Sequence, residues 1–113
     1  MLVIAHRGYS EKYPENTLLA FQEAIKLRAS AIELDIHLTK DNELVVTHDF
    51  KLGRCVQASG TVNTYTLSEL TSMDAGSFKG SEFKNEKVPS LESVLSLINH
   101  QCPLNIEIKR NSP

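Results

Sequence analysis

The alternation of apolar and polar positions is sharpest over residues 31–38, which read AIELDIHL. Successive side chains of an extended strand point to opposite faces, so Glu33 and Asp35 share one face. The other face carries only apolar side chains: Ile32, Leu34, Ile36 and Leu38. Two carboxylates about 4 Å apart repel by roughly 4 kcal/mol at an effective dielectric of 20, and burying them without partners is costly. The pattern therefore predicts a cation beside Glu33 and Asp35.

Three further segments predict strands, at residues 2–5, 43–47 and 104–109. The first ends abruptly in His6-Arg7-Gly8, and the third strand in the chain ends in His48-Asp49. Residues 39–42 supply a turn with no room for a helix, so the third strand is an extended return. In the last strand, LNIEIK, the polar face carries Asn105, Glu107 and Lys109, which adds a third carboxylate.

Two segments follow helical spacing. In the first, Asn16 or Thr17 is the expected N-cap, and the face comprises Leu18, Phe21, Ala24, Ile25 and Arg28. The second opens at Pro89-Ser90, ends at Asn99-His100 and carries a stripe of Leu91, Val94, Leu95 and Ile98. Between residues 50 and 88 the periodicity fades, apart from a capping-box signal at residues 66–69.

The element order predicts an α/β fold, and polar groups at strand ends are typical of an eight-stranded (β/α)8 barrel. A complete barrel takes roughly 250 residues, whereas this chain has 113. We therefore expect about half of a barrel, with four strands and two open strand edges. Open edges favour a partner, including a second copy of the chain.

Composition narrows the function classes. The chain is 41% hydrophobic and 23% charged with a net charge of −2, and no segment is rich in Lys and Arg. This excludes the electrostatic footprint of a nucleic-acid or anionic-membrane binder and favours a small-molecule ligand. Cys55 and Cys102 lack metal-binding spacing and are expected to be buried thiols in a reducing compartment. Because the apolar N-terminal stretch is too short for a signal peptide or a membrane span, we expect a cytoplasmic protein.

Five short motifs, in order, resemble the glycerophosphodiester phosphodiesterase family. They are HRG at residues 6–8, PENT at 14–17, ELD at 33–35, HD at 48–49 and NIEIK at 105–109. The resemblance covers nearly the whole chain. It implies that residues 1–113 are the N-terminal half of one domain of this family. It implies a metal-dependent barrel that cleaves glycerophosphodiesters to glycerol 3-phosphate and an alcohol. It also implies that residues 51–88 form a cap over the substrate.

The resemblance implies a role for each site residue. His6 and His48 would be the acid and base pair, and Arg7 would bind the phosphate. Lys109 would contact the substrate phosphate or the oxygens of the metal site. The metal ligands would be Glu33, Asp35 and Glu107. Three hard oxygen donors favour Mg²⁺ or Ca²⁺ over zinc, and the sequence does not choose between the two.

Each group also has a structural alternative. The three carboxylates could form an inward ion-pair network with Arg7 and Lys109. His37 and His100 are expected to be structural, and Asp49 is expected to orient a neighbour. Asn16 is expected to cap the helix, and packing within the 51–88 region is expected of three aromatic residues: Tyr65, Phe78 and Phe83.

Two rival functions stay open at this point. The half-length chain could be a non-catalytic half-barrel that binds a partner or itself through its strand edges. It could also be a related metal-dependent phospholipase of the same barrel type, although no membrane-inserting stretch favours that.

Overall fold

The computed structural model describes residues 2–109, so Met1 and residues 110–113 of the predicted domain lie outside the described part. Its strands are β1 (Ile4–His6), β2 (Ala31–Leu38), β3 (Leu44–Val46) and β4 (Leu104–Ile108). Its α-helices are α1 (Leu18–Lys26), α2 (Leu67–Leu70) and α3 (Leu91–Ile98), with short 3₁₀ helices at Val62–Thr64 and Ser81–Phe83. The predicted order of strands and long helices is present.

The four strands form one sheet in which β2 pairs with the other three. β1 and β4 run parallel to β2 on opposite edges, because Glu33 pairs with both His6 and Asn105. β3 is antiparallel and follows β1 along the same edge of β2. The predicted extended return is therefore an antiparallel strand, whereas the other three strands have the parallel order of an α/β barrel.

The apolar face of β2 packs against α1 and α3. Phe21 and Ala24 of α1 and Val94 and Ile98 of α3 are buried in one cluster with Ile32, Leu34 and Ile36. Of the two expected N-caps of α1, Thr17 fills the position, since its side chain accepts from the N–H of Ala20. The helix ends at Lys26, so the expectation that Arg28 continues it is wrong, because Arg28 adopts a left-handed φ of 58°.

Residues 51–88 build a second hydrophobic cluster against β3. Its buried members are Val45, Leu52, Val56, Val62, Leu70, Ala75 and Val88. The predicted capping box is confirmed at Thr66 and Glu69. Phe83 packs edge-to-face on Tyr13, which lies outside the region, with 5.9 Å between ring centroids. Tyr65 does pack against the cluster of its own region.

The two cysteines differ in burial. Cys102 is buried, whereas Cys55 is only partly buried. Burial, followed by the charge of Glu15, raises the pKa of the Cys55 thiol to about 12, which disfavours the reactive thiolate.

No helix within residues 2–109 combines the length and apolar character required to cross a bilayer.

Candidate active site

The polar face of β2 is buried. Glu33 is 8% exposed and Asp35 0%, and both lie within a strand whose central six residues are buried. The alternation that puts Ile32 and Leu34 in the core turns these two carboxylates to the opposite side. Carboxylates are rarely this buried unless they are paired or bind a metal.

Two strands approach this acidic stretch along one edge of β2 from opposite directions. β1 ends at His6, which is in register with Glu33. From the other direction the N–H of Thr47 donates to the Asp35 carbonyl at 3.1 Å, and His48 follows directly. The paired positions are two residues apart, or about 7 Å along the strand. The structure therefore brings both predicted catalytic histidines to the same stretch of β2.

The other edge of β2 contributes the third carboxylate. Glu107 of β4 is in register with Asp35. Ligand oxygens of Glu33, Asp35 and Glu107 all lie within 4.8 Å of one another. The side chain of Glu107 is 56% exposed, whereas the other two are buried. The three predicted metal ligands thus form one group that opens to solvent on the β4 side.

The two cations of the alternative ion-pair network also lie at this group. Arg7 places Nε 3.5 Å from Asp35 Oδ2, but its Nη1 donates to Glu15 Oε2 at 3.1 Å. Lys109 places Nζ 3.1 Å from Glu107 Oε1 and 3.8 Å from Asp35 Oδ1. Hydrogen bonding to Lys109 lowers the pKa of Glu107. Both cations are thus shared between carboxylates, and neither belongs to Asp35 alone.

This network leaves Asp35 incompletely satisfied. Its Oδ1 is buried and finds no hydrogen-bond partner within residues 2–109, since 3.8 Å from Lys109 is too long for a hydrogen bond. Burial, followed by the charge of Asp35, raises the pKa of Glu33. A hard divalent cation would relieve both features, because it would bind the free oxygen and favour the ionised carboxyl. The residues present therefore fit such a cation.

The imidazole of His48 is hydrogen-bonded to the side chain of the residue that follows it. Its Nδ1 lies 2.8 Å from Asp49 Oδ1. Burial opposes ionisation of Asp49, but hydrogen bonds from Arg54 and His48 outweigh it, and the pKa of Asp49 is lowered. An ionised carboxylate only accepts hydrogen bonds, so the donor of this hydrogen bond is Nδ1 of His48. Asp49 orients a neighbour, as the sequence predicts.

Two buried polar residues, Asn16 and His37, lie near the site. Asn16 donates from Nδ2 to Asp35 Oδ2 at 3.1 Å, so the expectation that it caps the helix is wrong. Its φ of 57° is a left-handed conformation that Asn tolerates. His37 is buried with Nε2 2.8 Å from the His48 carbonyl oxygen, in keeping with a structural role.

Comparison with known proteins identifies the family. The model of the glycerophosphoryl diester phosphodiesterase family matches residues 6–113. The chain belongs to this family. It is 49% identical over 109 residues to a glycerophosphodiester phosphodiesterase of Caldanaerobacter subterraneus subsp. tengcongensis. It is 42% identical over 111 residues to one of Bacillus altitudinis. In each case 96% of this chain is matched but only 45% of the relative, so the chain spans about half their length.

Solved structures of this family share the fold. A phosphodiesterase of Oleispira antarctica, in complex with the product sn-glycerol-3-phosphate, matches with a TM-score of 0.91 and 37% identity. That match covers 96% of this chain and 44% of the other. A glycerophosphodiester phosphodiesterase of Agrobacterium tumefaciens matches with a TM-score of 0.93 and 34% identity, over 97% and 48% of the two chains. The fold is therefore about half of a (β/α)8-type barrel, as predicted.

Proposed function

We propose that this protein is a metal-dependent phosphodiesterase that hydrolyses glycerophosphodiesters to glycerol 3-phosphate and an alcohol. The observation that carries the proposal is the group formed by Glu33, Asp35 and Glu107, with oxygens within 4.8 Å of one another and a buried Asp35 oxygen left unpartnered within residues 2–109. Both relatives named above are glycerophosphodiester phosphodiesterases, and this supports the proposed substrate class.

The three carboxylates would hold a divalent cation, for which Mg²⁺ and Ca²⁺ are the candidates. When bound, such a cation neutralises charge on the phosphoryl oxygens. Arg7 adds to this from the chain itself, because its side chain has five N–H donors and Asp35 and Glu15 do not use all of them. A guanidinium suits the planar, bidentate binding of a phosphate. Lys109 lies on the open side of the group and contributes a second positive charge toward the substrate.

The histidines move the protons. His48, whose Nδ1 donates to Asp49, would be the base that deprotonates the nucleophile through Nε2, and Asp49 would stabilise the resulting imidazolium. The side chain of His6 is 65% exposed, with Nε2 3.7 Å from Glu33 Oε1, so its ring lies beside the carboxylate group and is open to a substrate. His6 then protonates the leaving oxygen. The nucleophile is water or the glycerol hydroxyl of the substrate, and hydrolysis in ¹⁸O-labelled water with a trapped cyclic phosphate separates the two routes.

The direct test is hydrolysis by the 113-residue chain. Purified protein is incubated with glycerophosphocholine and with glycerophosphoethanolamine, in Mg²⁺, in Ca²⁺ or in EDTA, and glycerol 3-phosphate is measured by a coupled assay. We expect product with one of the two ions, none in EDTA, and none from the Asp35→Asn variant. A chain that is folded but inactive with both substrates and both ions refutes the proposal. A parallel arm with a lysophospholipid tests the phospholipase alternative, for which faster turnover of the lipid would be required.

Self-association is a second candidate function, favoured by exposed apolar side chains on the outer strands. Ile4 is 56% and Ile108 79% exposed, and within residues 2–109 β1 and β4 pair with β2 alone. A second copy could extend the sheet along these edges. Sedimentation of the chain at rising concentration should then show a dimer that Ile108→Lys disrupts. A monomer at every concentration contradicts this.

Cytoplasmic location stays a prediction that imaging of a tagged chain tests.

A further inference from the structure

One arginine outside the five motifs, Arg54, lies between two carboxylates of the proposed site, Glu15 and Asp49. Arg54, from the start of the 51–88 region, donates Nη1 to Glu15 Oε1 and Nη2 to Glu15 Oε2, both at 3.0 Å. Its other side donates Nε to Asp49 Oδ2 at 2.8 Å and Nη2 to Asp49 Oδ1 at 3.2 Å. A single guanidinium therefore makes two bidentate pairs.

Each of these carboxylates holds a residue of the proposed mechanism. Glu15 Oε2 also accepts from Arg7 Nη1 at 3.1 Å, and Asp49 Oδ1 also accepts from His48 Nδ1 at 2.8 Å. A continuous set of charge-assisted hydrogen bonds therefore runs from the proposed phosphate ligand to the proposed base. Arg54 is its middle member and is the only one of the five that the 51–88 region supplies.

The charges in this set keep both carboxylates ionised. Burial opposes ionisation of Glu15, but the hydrogen bonds and charge of Arg54, followed by the charge of Arg7, outweigh it and lower its pKa. The Arg54 side chain is half exposed, and simple surface ion pairs contribute little to stability. A lysine would satisfy the charge, but it lacks the planar fork needed to grip two carboxylates at once.

We propose that Arg54 is a positioning residue, which fixes Arg7 through Glu15 and His48 through Asp49 in the arrangement that the reaction requires. The role of Arg54 rests on the proposed function, but the positions of Arg7 and His48 can be measured without turnover. With Arg54 absent, Glu15 loses both of its hydrogen bonds from Arg54, and Asp49 loses two of its three hydrogen bonds. The carboxylate that orients His48 then turns freely, and the imidazole is no longer restricted to one tautomer.

The test uses NMR of the 113-residue chain with Arg54→Ala, Arg54→Lys and the matched control Lys84→Ala. Lys84 is an exposed cation of the same region. Ring ¹⁵N shifts of His48, assigned with a His48→Gln sample, report its tautomer, and the Nε–H signal of Arg7 reports its environment. We expect the Nδ1–H tautomer in wild type and Lys84→Ala, but mixed tautomers and a displaced Arg7 signal in both Arg54 variants. Added ethylguanidinium should restore both signals in Arg54→Ala.

A folded Arg54→Ala protein that keeps the wild-type signal at either residue overturns the proposal. If Arg54→Ala fails to fold, the Arg54→Lys spectra decide it in the same way. Failure of the proposed function is distinguished by the same samples, because an inactive chain can still show the dependence of both signals on Arg54. Where the chain is active, Arg54→Lys should lose up to about 10²-fold, because a misplacement of about 1 Å can cost that much, and the loss should fall mainly on kcat.

Discussion

Replacing Glu33 with Gln should stabilise the metal-free protein and remove its response to a divalent cation. Glu33 Oε1 accepts from the backbone N–H of Arg7 at 3.2 Å, and the oxygen of a Gln side chain can accept the same bond. The substitution therefore removes little besides a negative charge. That charge is unfavourable in the absence of metal, since burial and then Asp35 raise the pKa of the carboxyl.

The size of the gain follows from the spacing of the carboxylates. Their ligand oxygens lie within 4.8 Å of one another, where two full charges repel by about 3 kcal/mol at an effective dielectric of 20. Arg7 and Lys109 offset part of this repulsion. We therefore expect a net gain of about 1 kcal/mol in the free energy of unfolding, or roughly 4 °C in Tm for a domain of this size.

The gain should depend on pH in a defined direction. A carboxyl whose folded pKa is raised contributes stability below its unfolded pKa, here 4.5, and that contribution is lost as the pH rises through the folded pKa. Wild type loses this contribution between acidic and neutral pH, whereas Glu33→Gln does not. The two proteins should therefore differ little below pH 4.5 and most at neutral pH.

The assay is thermal unfolding followed by circular dichroism, in EDTA and in excess Mg²⁺ or Ca²⁺, with Glu11→Gln as an exposed control. An ion at 100 times its Kd should stabilise wild type and the control by about 2.7 kcal/mol, and should leave Glu33→Gln unchanged. A lower Tm for metal-free Glu33→Gln would refute the reasoning. It would mean that the carboxylates serve the ion pairs with Arg7 and Lys109 rather than an ion.

Three further predictions concern the histidines and the packing. His6→Ala and His48→Ala should each slow turnover by about 10²- to 10⁴-fold while calorimetric metal binding is unchanged; full activity in both would reject the assignment. Gly8→Ala should cost at least about 1 kcal/mol in urea unfolding, because φ is +80° and a Cβ would lie 2.8 Å from α1. Gly53→Ala, with nothing nearer than 3.8 Å, should cost less. Phe21→Ala, fully buried, should cost about 3 to 5 kcal/mol, and a smaller loss would question the core.

The parts of the site that the sequence predicts are those set by local periodicity. The bounds of β2 match the AIELDIHL pattern residue for residue, because alternation over eight positions leaves one way to divide core from site. The same rule in β4 places Glu107 opposite Asp35. Strand ends marked by His6 and His48 could be found because an apolar run stops there.

The parts that the sequence does not predict depend on contacts between distant residues. Arg54 and Glu15 are 39 positions apart, and no period or motif relates them. Asn16 stands beside Thr17, which is an equally good cap by composition, and only the path of the chain decides that Asn16 turns toward Asp35. The 51–88 region lacks a period, so its separate hydrophobic cluster becomes visible only in three dimensions.

The most direct test of the central claim is a crystal structure of the chain grown with Ca²⁺ or Mn²⁺, with anomalous diffraction data. We expect one anomalous peak, from an ion bound by oxygens of Glu33, Asp35 and Glu107 at about 2.3 to 2.6 Å for Ca²⁺, with Lys109 moved away from Asp35. The absence of a peak there at saturating ion, with Lys109 Nζ in the space between the three carboxylates, would contradict the proposed metal site.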